Sequence, residues 1–373
     1  MSALRLAALK TEAAWWMTRI HLSNMNIWPV FMGWAVADPS PDPWPLVWLA
    51  GYVAAAGGAL FIVNDILDAD GDQITAPYLP LPSGLLTVRE AWAAAAGYFA
   101  VALGALFIAC GGAARAGLAL ALTIAAVVFS MAYSKVKDEG VVASFVVSVP
   151  QTIPAVVGWY LAGGQHPWWL AGVLAYLLIA CVSNNILAAL RDVDLDPVVG
   201  NMTVPVRIGA TRAFQLAARV ATLAFVPIVI LAAVVPGGWW GLAVAAPAAL
   251  MMSFCYRRTL AAFGEPGRGR LRRMADMRLF KFGEYVRHTA LAAVFSVPVA
   301  LSAGVVMQAT LYFGGFVYAL RVIRGGIRRD LAMAGGATDS PAGHGPPAPL
   351  SSAPLPVAPL PAAPSDSSKA VRS

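Results

Sequence analysis

The sequence predicts an all-α membrane protein with about nine transmembrane helices, and three observations predict it. Hydrophobic residues make up 59% of its 373 residues. Charged residues make up only 12%, about half the share found in soluble domains. Mean hydropathy is +0.69, and apolar runs near the ~20 residues needed to cross a bilayer recur along the chain. This composition excludes an ordinary cytosolic enzyme. It also excludes disorder over most of the chain, which requires low hydrophobicity.

The first run, 14–36, is the weakest, because Arg19, His21, Ser23, Asn24 and Asn26 interrupt it. The second, 46–66, is strongly apolar and closes on a group of aspartates. Runs at 90–110, 115–134 and 141–163 follow, and 168–190 closes on a second acidic group. Runs at 213–235 and 239–256 complete eight, and 288–320 supplies a ninth helix with room for a short tenth. From about 331 to 373 the chain turns to Pro, Ala, Ser and Gly, a tail that cannot bury a core and is expected to be disordered. Residues 1–330 are therefore read as one membrane domain and 331–373 as the tail.

Charge sets the orientation. Lys+Arg outnumber Asp+Glu by 26 to 19, and short cytoplasmic loops retain Lys and Arg. The connections near 37–45, 162–167 and 235–238 contain neither. The alternate set carries Arg89, Lys135, Lys137, Arg191, Arg207 and Arg212, and its longest loop, 257–287, adds nine more from Arg257 to Arg287. Both acidic groups are thus expected on the cytoplasmic side of a multi-pass protein of the cell membrane. Positive charge spread over short loops, not gathered on a soluble face, argues against nucleic-acid binding. Cys110, Cys181 and Cys255 lie in apolar runs at unrelated spacings, so neither a disulfide framework nor a zinc site is expected. No signal peptide is recognised at the N-terminus.

The acidic groups carry the chemistry. The second run ends Asn64-Asp65-Ile66-Leu67-Asp68-Ala69-Asp70-Gly71-Asp72. Asp65, Asp68 and Asp72 stand at i, i+3 and i+7, one stripe of a helix. The sixth run ends Arg191-Asp192-Val193-Asp194-Leu195-Asp196, placing Asp192 and Asp196 at i and i+4. Stacked carboxylates repel one another and sit at the negative end of the helix dipole. Oxygen ligands without His or Cys point to Mg2+ as the compensating charge, which bridges carboxylates and substrate phosphates. Each group is followed by a Pro/Gly loop, at Pro77–Gly84 and at Gly200–Gly209.

These residues resemble the UbiA superfamily of intramembrane prenyltransferases. Asn64, Asp65, Asp68 and Asp72 fill its first motif, NDxxDxxxD, and Leu79–Gly84 is similar to its RPIPSG stretch. Asp192, Asp196, Gly200, Thr203, Pro205, Val206 and Gly209 match the second motif, with Asp194 in place of a Glu. Tyr133-Ser134 with Lys135 and Lys137 look like the YS…K loop after the fourth helix. The resemblance implies helices around a central cavity that opens to lipid. It implies two Mg2+ ions, one on Asp65, Asp68 and Asp72 with Asn64 assisting, the other on Asp192 and Asp196. It implies a prenyl diphosphate donor held by Lys135, Lys137 and Arg207, with Tyr133 offering its ring to the carbocation. The prenyl group would pass to an aromatic or other lipophilic acceptor.

The sequence also departs from that pattern. Leu79 and Thr75-Ala76 stand where the family has basic residues, as do Pro197 and Asn201-Met202, and Leu195 replaces a Gly. The carboxylates are kept while cations around them thin out. An acceptor-free terpene cyclase is the alternative reading, with Trp159, Tyr160, Trp168 and Trp169 as aromatic walls or as an interfacial belt. A transporter or scaffold is the non-enzymatic alternative. It is disfavoured because these carboxylates sit at helix ends, whereas transporter sites lie near the midplane.

Overall fold

The computed structural model describes residues 3–19, 24–39, 43–76, 79–136, 139–194, 196–263 and 270–301. Among them the chain is helical throughout, without strands: α1 (Ala3–Met17), α2 (Asn24–Ala37), α3 (Pro43–Leu67), α4 (Ala69–Thr75), α5 (Val88–Cys110), α6 (Ala113–Val136) and α7 (Val141–Leu161). The second part comprises α8 (Pro167–Ala189), a 3-10 turn (Asp196–Val199), α9 (Val204–Ile208), α10 (Ala210–Leu223), α11 (Phe225–Val234), α12 (Trp239–Phe263) and α13 (Arg270–Phe295).

Seven of these segments are long and apolar enough to cross a membrane, with α10 and α11 forming one broken span between them. The first expected run is not one helix. Its polar interruption separates α1 from α2, and at 14 residues α2 is only about 21 Å long. The expected loop 257–287 is largely helical as well. Apolar Met277 and Phe280 recur at helical spacing through its charges, so α12 and α13 extend into it and pack as an antiparallel pair. Of the run 288–320 only the part up to 301 is described, and the tail 331–373 lies outside the described residues.

Four apolar cores form among the described residues, and α2 belongs to two of them. Trp28, Met32 and Val36 face a core shared with α8, α11 and α13. Val30 and Trp34 face the opposite way, into a core built by α3, α5, α6 and α7. The second face is closed by an unusually tight antiparallel crossing of α2 and α7. A Cβ added to Gly33 would collide with the Ala155 carbonyl oxygen, and one added to Gly158 with that of Val30. Small residues let helix backbones approach in this way in membranes, where apolar surface alone does not drive helices together. Pro150 and Pro154 sit inside α7. The missing N–H groups free the Val146 and Pro150 carbonyls from the helix ladder, a break that membrane helices tolerate within a bundle.

Alternating hairpins put the α3–α5, α6–α7, α8–α10 and α12–α13 connections at one end. There α1 closes over the bundle, with Ala13 and Met17 packed on Ile62, Leu86, Ala91 and Ala95. Thr87 starts α5 with a reciprocal capping box to Glu90, and Lys10 of α1 pairs with Glu90 at 2.6 Å. Gly158→Val should cost about 1–3 kcal/mol of stability through forced overpacking, while Gly97→Ala on α5, with open space around it, should be neutral or stabilising. Thermal unfolding in detergent, followed by size-exclusion chromatography, reads the difference.

Candidate functional site at the acidic helix ends

The first acidic motif begins in the last turn of α3 and is broken, not continuous. The helix ends at Leu67, Asp68 is the N-cap residue of α4, and Asp72 lies within α4. The single helical stripe expected for Asp65, Asp68 and Asp72 is therefore shared between two helices. Backbone bonds still step across the break, Asp68 N to Asn64 O and Asp72 N to Asp68 O, each at 2.9 Å. Asp68 gives no side-chain cap, because its Oδ2 accepts from Asn64 Nδ2 at 2.9 Å. Asp65 is buried at 7% exposure, while Asp70 points outward.

A cation that the sequence reading passed over meets Asp65. Arg19 Nη2 donates to Asp65 Oδ1 at 2.5 Å, and its guanidinium lies 5.2 Å from the centre of the Phe61 ring. The local fold explains the reach. Gly58 on α3 leaves just enough room for Thr18, so α1 ends against α3 and Arg19 turns back with φ at +47°. The available signal was a lone Arg inside the first apolar run, on the same side of the membrane as the aspartates.

The second motif also leaves its helix early. α8 ends at Ala189, Asp192 lies in the turn beyond, and Asp196 opens the 3-10 turn. The pair thus occupies no common helix face, although Asp196 N bonds to Asp192 O at 2.9 Å. Arg191 contacts Asp192 Oδ2 through Nε at 2.8 Å and Nη2 at 2.7 Å. Thr203 Oγ1 donates to Asp196 Oδ2 at 2.7 Å. Gly200, with φ at +81°, supplies the left-handed turn that brings Thr203 back. Exposed Arg207 donates from Nε to the Met202 carbonyl at 2.8 Å. Its side chain lies beside Gly140, in the connection that follows Tyr133. Tyr133 is half-buried on α6. Lys135 is also on α6, but its side chain, like the whole of Lys137, lies outside the described residues.

The two motifs, more than a hundred residues apart in sequence, come together. α4 packs directly against the 3-10 turn that starts at Asp196. Among the described residues no three Asp, Glu, His or Cys side chains close into a metal cage. The donor set nonetheless fits Mg2+, which is bound by one or two carboxylates and completed by water and substrate phosphates. The Trp159, Tyr160, Trp168 and Trp169 group is remote. Trp159 stands 18 residues up α7 from Val141, about 27 Å away, and Trp168 is 85% exposed.

The sequence model of the UbiA prenyltransferase family matches residues 26–275. A digeranylgeranylglyceryl phosphate synthase of Sulfurisphaera tokodaii is 27% identical over 210 residues, 55% of this chain and 72% of that protein. A protoheme IX farnesyltransferase of Cytophaga hutchinsonii is 27% identical over 171 residues, 43% of this chain and 56% of that one. The solved structure of a UbiA homolog from Archaeoglobus fulgidus bound to GPP and Mg2+ shares the fold. Its TM-score is 0.53 at 15% identity, covering 75% of this chain and 99% of that one.

Removing Arg19 leaves a buried acceptor without its donor. Arg19→Leu should therefore destabilise the chain by about 1–3 kcal/mol, and adding Asp65→Leu should recover part of that. A double-mutant cycle of thermal unfolding measures the coupling.

Proposed function

The chain belongs to the UbiA prenyltransferase family and is an integral membrane prenyltransferase; from that premise we propose that it uses Mg2+ to ionise a prenyl diphosphate at the joined acidic ends of α3 and α8. The prenyl group then passes to a lipophilic acceptor. The observation that carries this reading is the packing of α4 on the 3-10 turn, which gathers carboxylates from both motifs at one end of the bundle.

In this reading Asp65, Asp68 and Asp72, with Asn64, hold one Mg2+, and Asp192 and Asp196 hold the other. Bound there, Mg2+ neutralises the charge that develops on the departing pyrophosphate. The remaining work falls to the chain. Arg19 holds Asp65 and Arg191 holds Asp192, while Thr203 and Asn64 fix Asp196 and Asp68 by hydrogen bonds. These contacts orient carboxylates that repel one another. Arg207, Lys135 and Lys137 supply cations to the pyrophosphate, which fits the loss of the family's usual basic residues elsewhere. The allylic C–O bond breaks with its electron pair going to pyrophosphate. The acceptor atom then bonds to the same carbon, and its proton leaves to water or pyrophosphate. Tyr133 offers an aromatic ring to the transient cation. The apolar interior takes the isoprenoid chain, at about 0.8 kcal/mol for each CH2 buried.

Transfer is favoured over acceptor-free cyclisation because the named relatives are a digeranylgeranylglyceryl phosphate synthase and a protoheme IX farnesyltransferase. The remote position of the four aromatic residues points the same way, toward an interfacial belt. The distribution of Lys and Arg supports a cell-membrane location with the acidic end facing the cytoplasm. Residues 1–330 are proposed as the catalytic domain and 331–373 as an appended tail.

Purified protein given Mg2+, prenyl diphosphates from C10 to C25, and either a glycerophosphate lipid or an aromatic acceptor should form a mass adduct only when acceptor is present. A hydrocarbon or alcohol formed without acceptor would transfer the assignment to a cyclase. Asp65→Ala and Asp192→Ala should each lower turnover by about 10²–10³-fold in protein that still elutes as folded. EDTA should abolish turnover; full activity in EDTA would refute the metal.

A further inference from the structure

Deep in the bundle the structure buries a second set of charges that the reaction does not use. Glu284 and Arg287 of α13 are 1% and 0% exposed, with Arg287 Nη2 3.6 Å from Glu284 Oε1. Ionisable residues within a membrane bundle are costly, and their retention calls for a role.

Their partners lie on two other helices. Ser183 Oγ of α8 is 3.1 Å from Glu284 Oε1 and 3.0 Å from the Ala217 carbonyl oxygen of α10, two acceptors for its single proton. Arg287 Nη1 donates to the Ala221 carbonyl, in the last turn of α10, where carbonyls lack intrahelical partners. Arg287 Nε reaches Tyr176 Oη of α8 at 3.4 Å, and Tyr176 Oη meets His288 Nδ1 at 2.7 Å. The guanidinium also lies over the rings of Tyr176 and Phe225, 5.7 and 5.6 Å from their centres.

These attachments have one feature in common. α8 enters the second acidic motif and α10 leaves it, and one ion pair on α13 grips both. Tyr176 and Ser183 are at i and i+7, on one face of α8. Ser183 lies six residues, about 9 Å of helix, before the end of α8 at Ala189, with Asp192 in the turn just beyond. Apolar packing allows small slides and rotations, whereas directional bonds in a low-dielectric interior allow fewer. The pair therefore fixes the axial register of both arms from which Asp192, Asp196, Thr203 and Arg207 hang.

We infer that Glu284 and Arg287 are positioning residues for the second acidic motif, acting on its affinity for the divalent cation through Ser183, Tyr176 and the α10 carbonyls. The inference rests on the proposed reading of that motif as a metal site. Metal affinity is sensitive to groups that orient the ligands, typically by 10–100-fold.

The test replaces the pair by apolar residues of similar size, Glu284→Leu with Arg287→Met, a change that buried pairs often tolerate. Mn2+ affinity is read from the EPR signal of the free ion, and the Mg2+ concentration for half-maximal turnover is read alongside it. The expected result is folded protein that binds Mn2+ about tenfold more weakly, with a matching rise in the Mg2+ midpoint and turnover restored at saturating Mg2+. Arg287→Lys, which keeps the charge beside Glu284, should recover most of the affinity. A folded double variant with wild-type Mn2+ affinity would overturn the inference. If the double variant does not fold, Ser183→Ala with Tyr176→Phe should give a smaller loss in the same direction, and unchanged affinity there would overturn it equally. Wild-type protein that binds no Mn2+ would instead sink the reading of the site itself, and the inference with it.

Discussion

The close crossing of α2 and α7 at Gly33 and Gly158 is the contact on which the rest of the arrangement depends. The first acidic motif hangs from α3, which packs in the core of α5, α6 and one face of α2. The second hangs from α8, whose core takes the other face of α2. The two motifs meet only if those halves are brought to a fixed distance, and backbone contact at a paired glycine seam sets it. Side chains at either position would collide with the facing backbone and force the helices apart.

Charge balance is the second requirement. Several carboxylates gathered at helix C-termini, against the dipole, are unstable without cations. In this chain the compensation comes from unexpected places. Arg19 reaches Asp65 from the end of the N-terminal helix, and Arg191 reaches Asp192 from the neighbouring position. The absence of basic residues at Leu79, Pro197 and Asn201 is therefore not a loss of positive charge at the site. It is a redistribution, in which Arg, Thr and Asn side chains hold the carboxylate oxygens.

Much of this was legible in the sequence. Apolar runs marked α3, α5, α6, α7, α8 and the α10–α11 span within a few residues, and the start of α12, because hydrophobic length is nearly sufficient to specify a membrane helix. The acidic groups were visible in the spacing of their aspartates, and the resemblance to the family in the motif residues around them. What escaped was tertiary. Spacing placed Asp65, Asp68 and Asp72 on one helix, yet the chain breaks at Asp68, where competing side-chain and backbone bonds end α3. Counting charges made Arg287 a loop residue. It is instead buried, since Glu284, Tyr176 and the end of α10 supply partners that no linear window contains. Arg19 was read only as an interruption of an apolar run, because its partner lies 46 residues away.

The central claim is that two motifs distant in sequence form one diphosphate site with two metal positions. A structure of the protein with Mn2+ and an unreactive prenyl thiodiphosphate, examined for anomalous scattering, tests it most directly. The account predicts two manganese peaks, one against Asp65, Asp68 and Asp72 and one against Asp192 and Asp196, both touching the same diphosphate. A single peak, or a diphosphate bound away from the contact between α4 and the 3-10 turn, would contradict it.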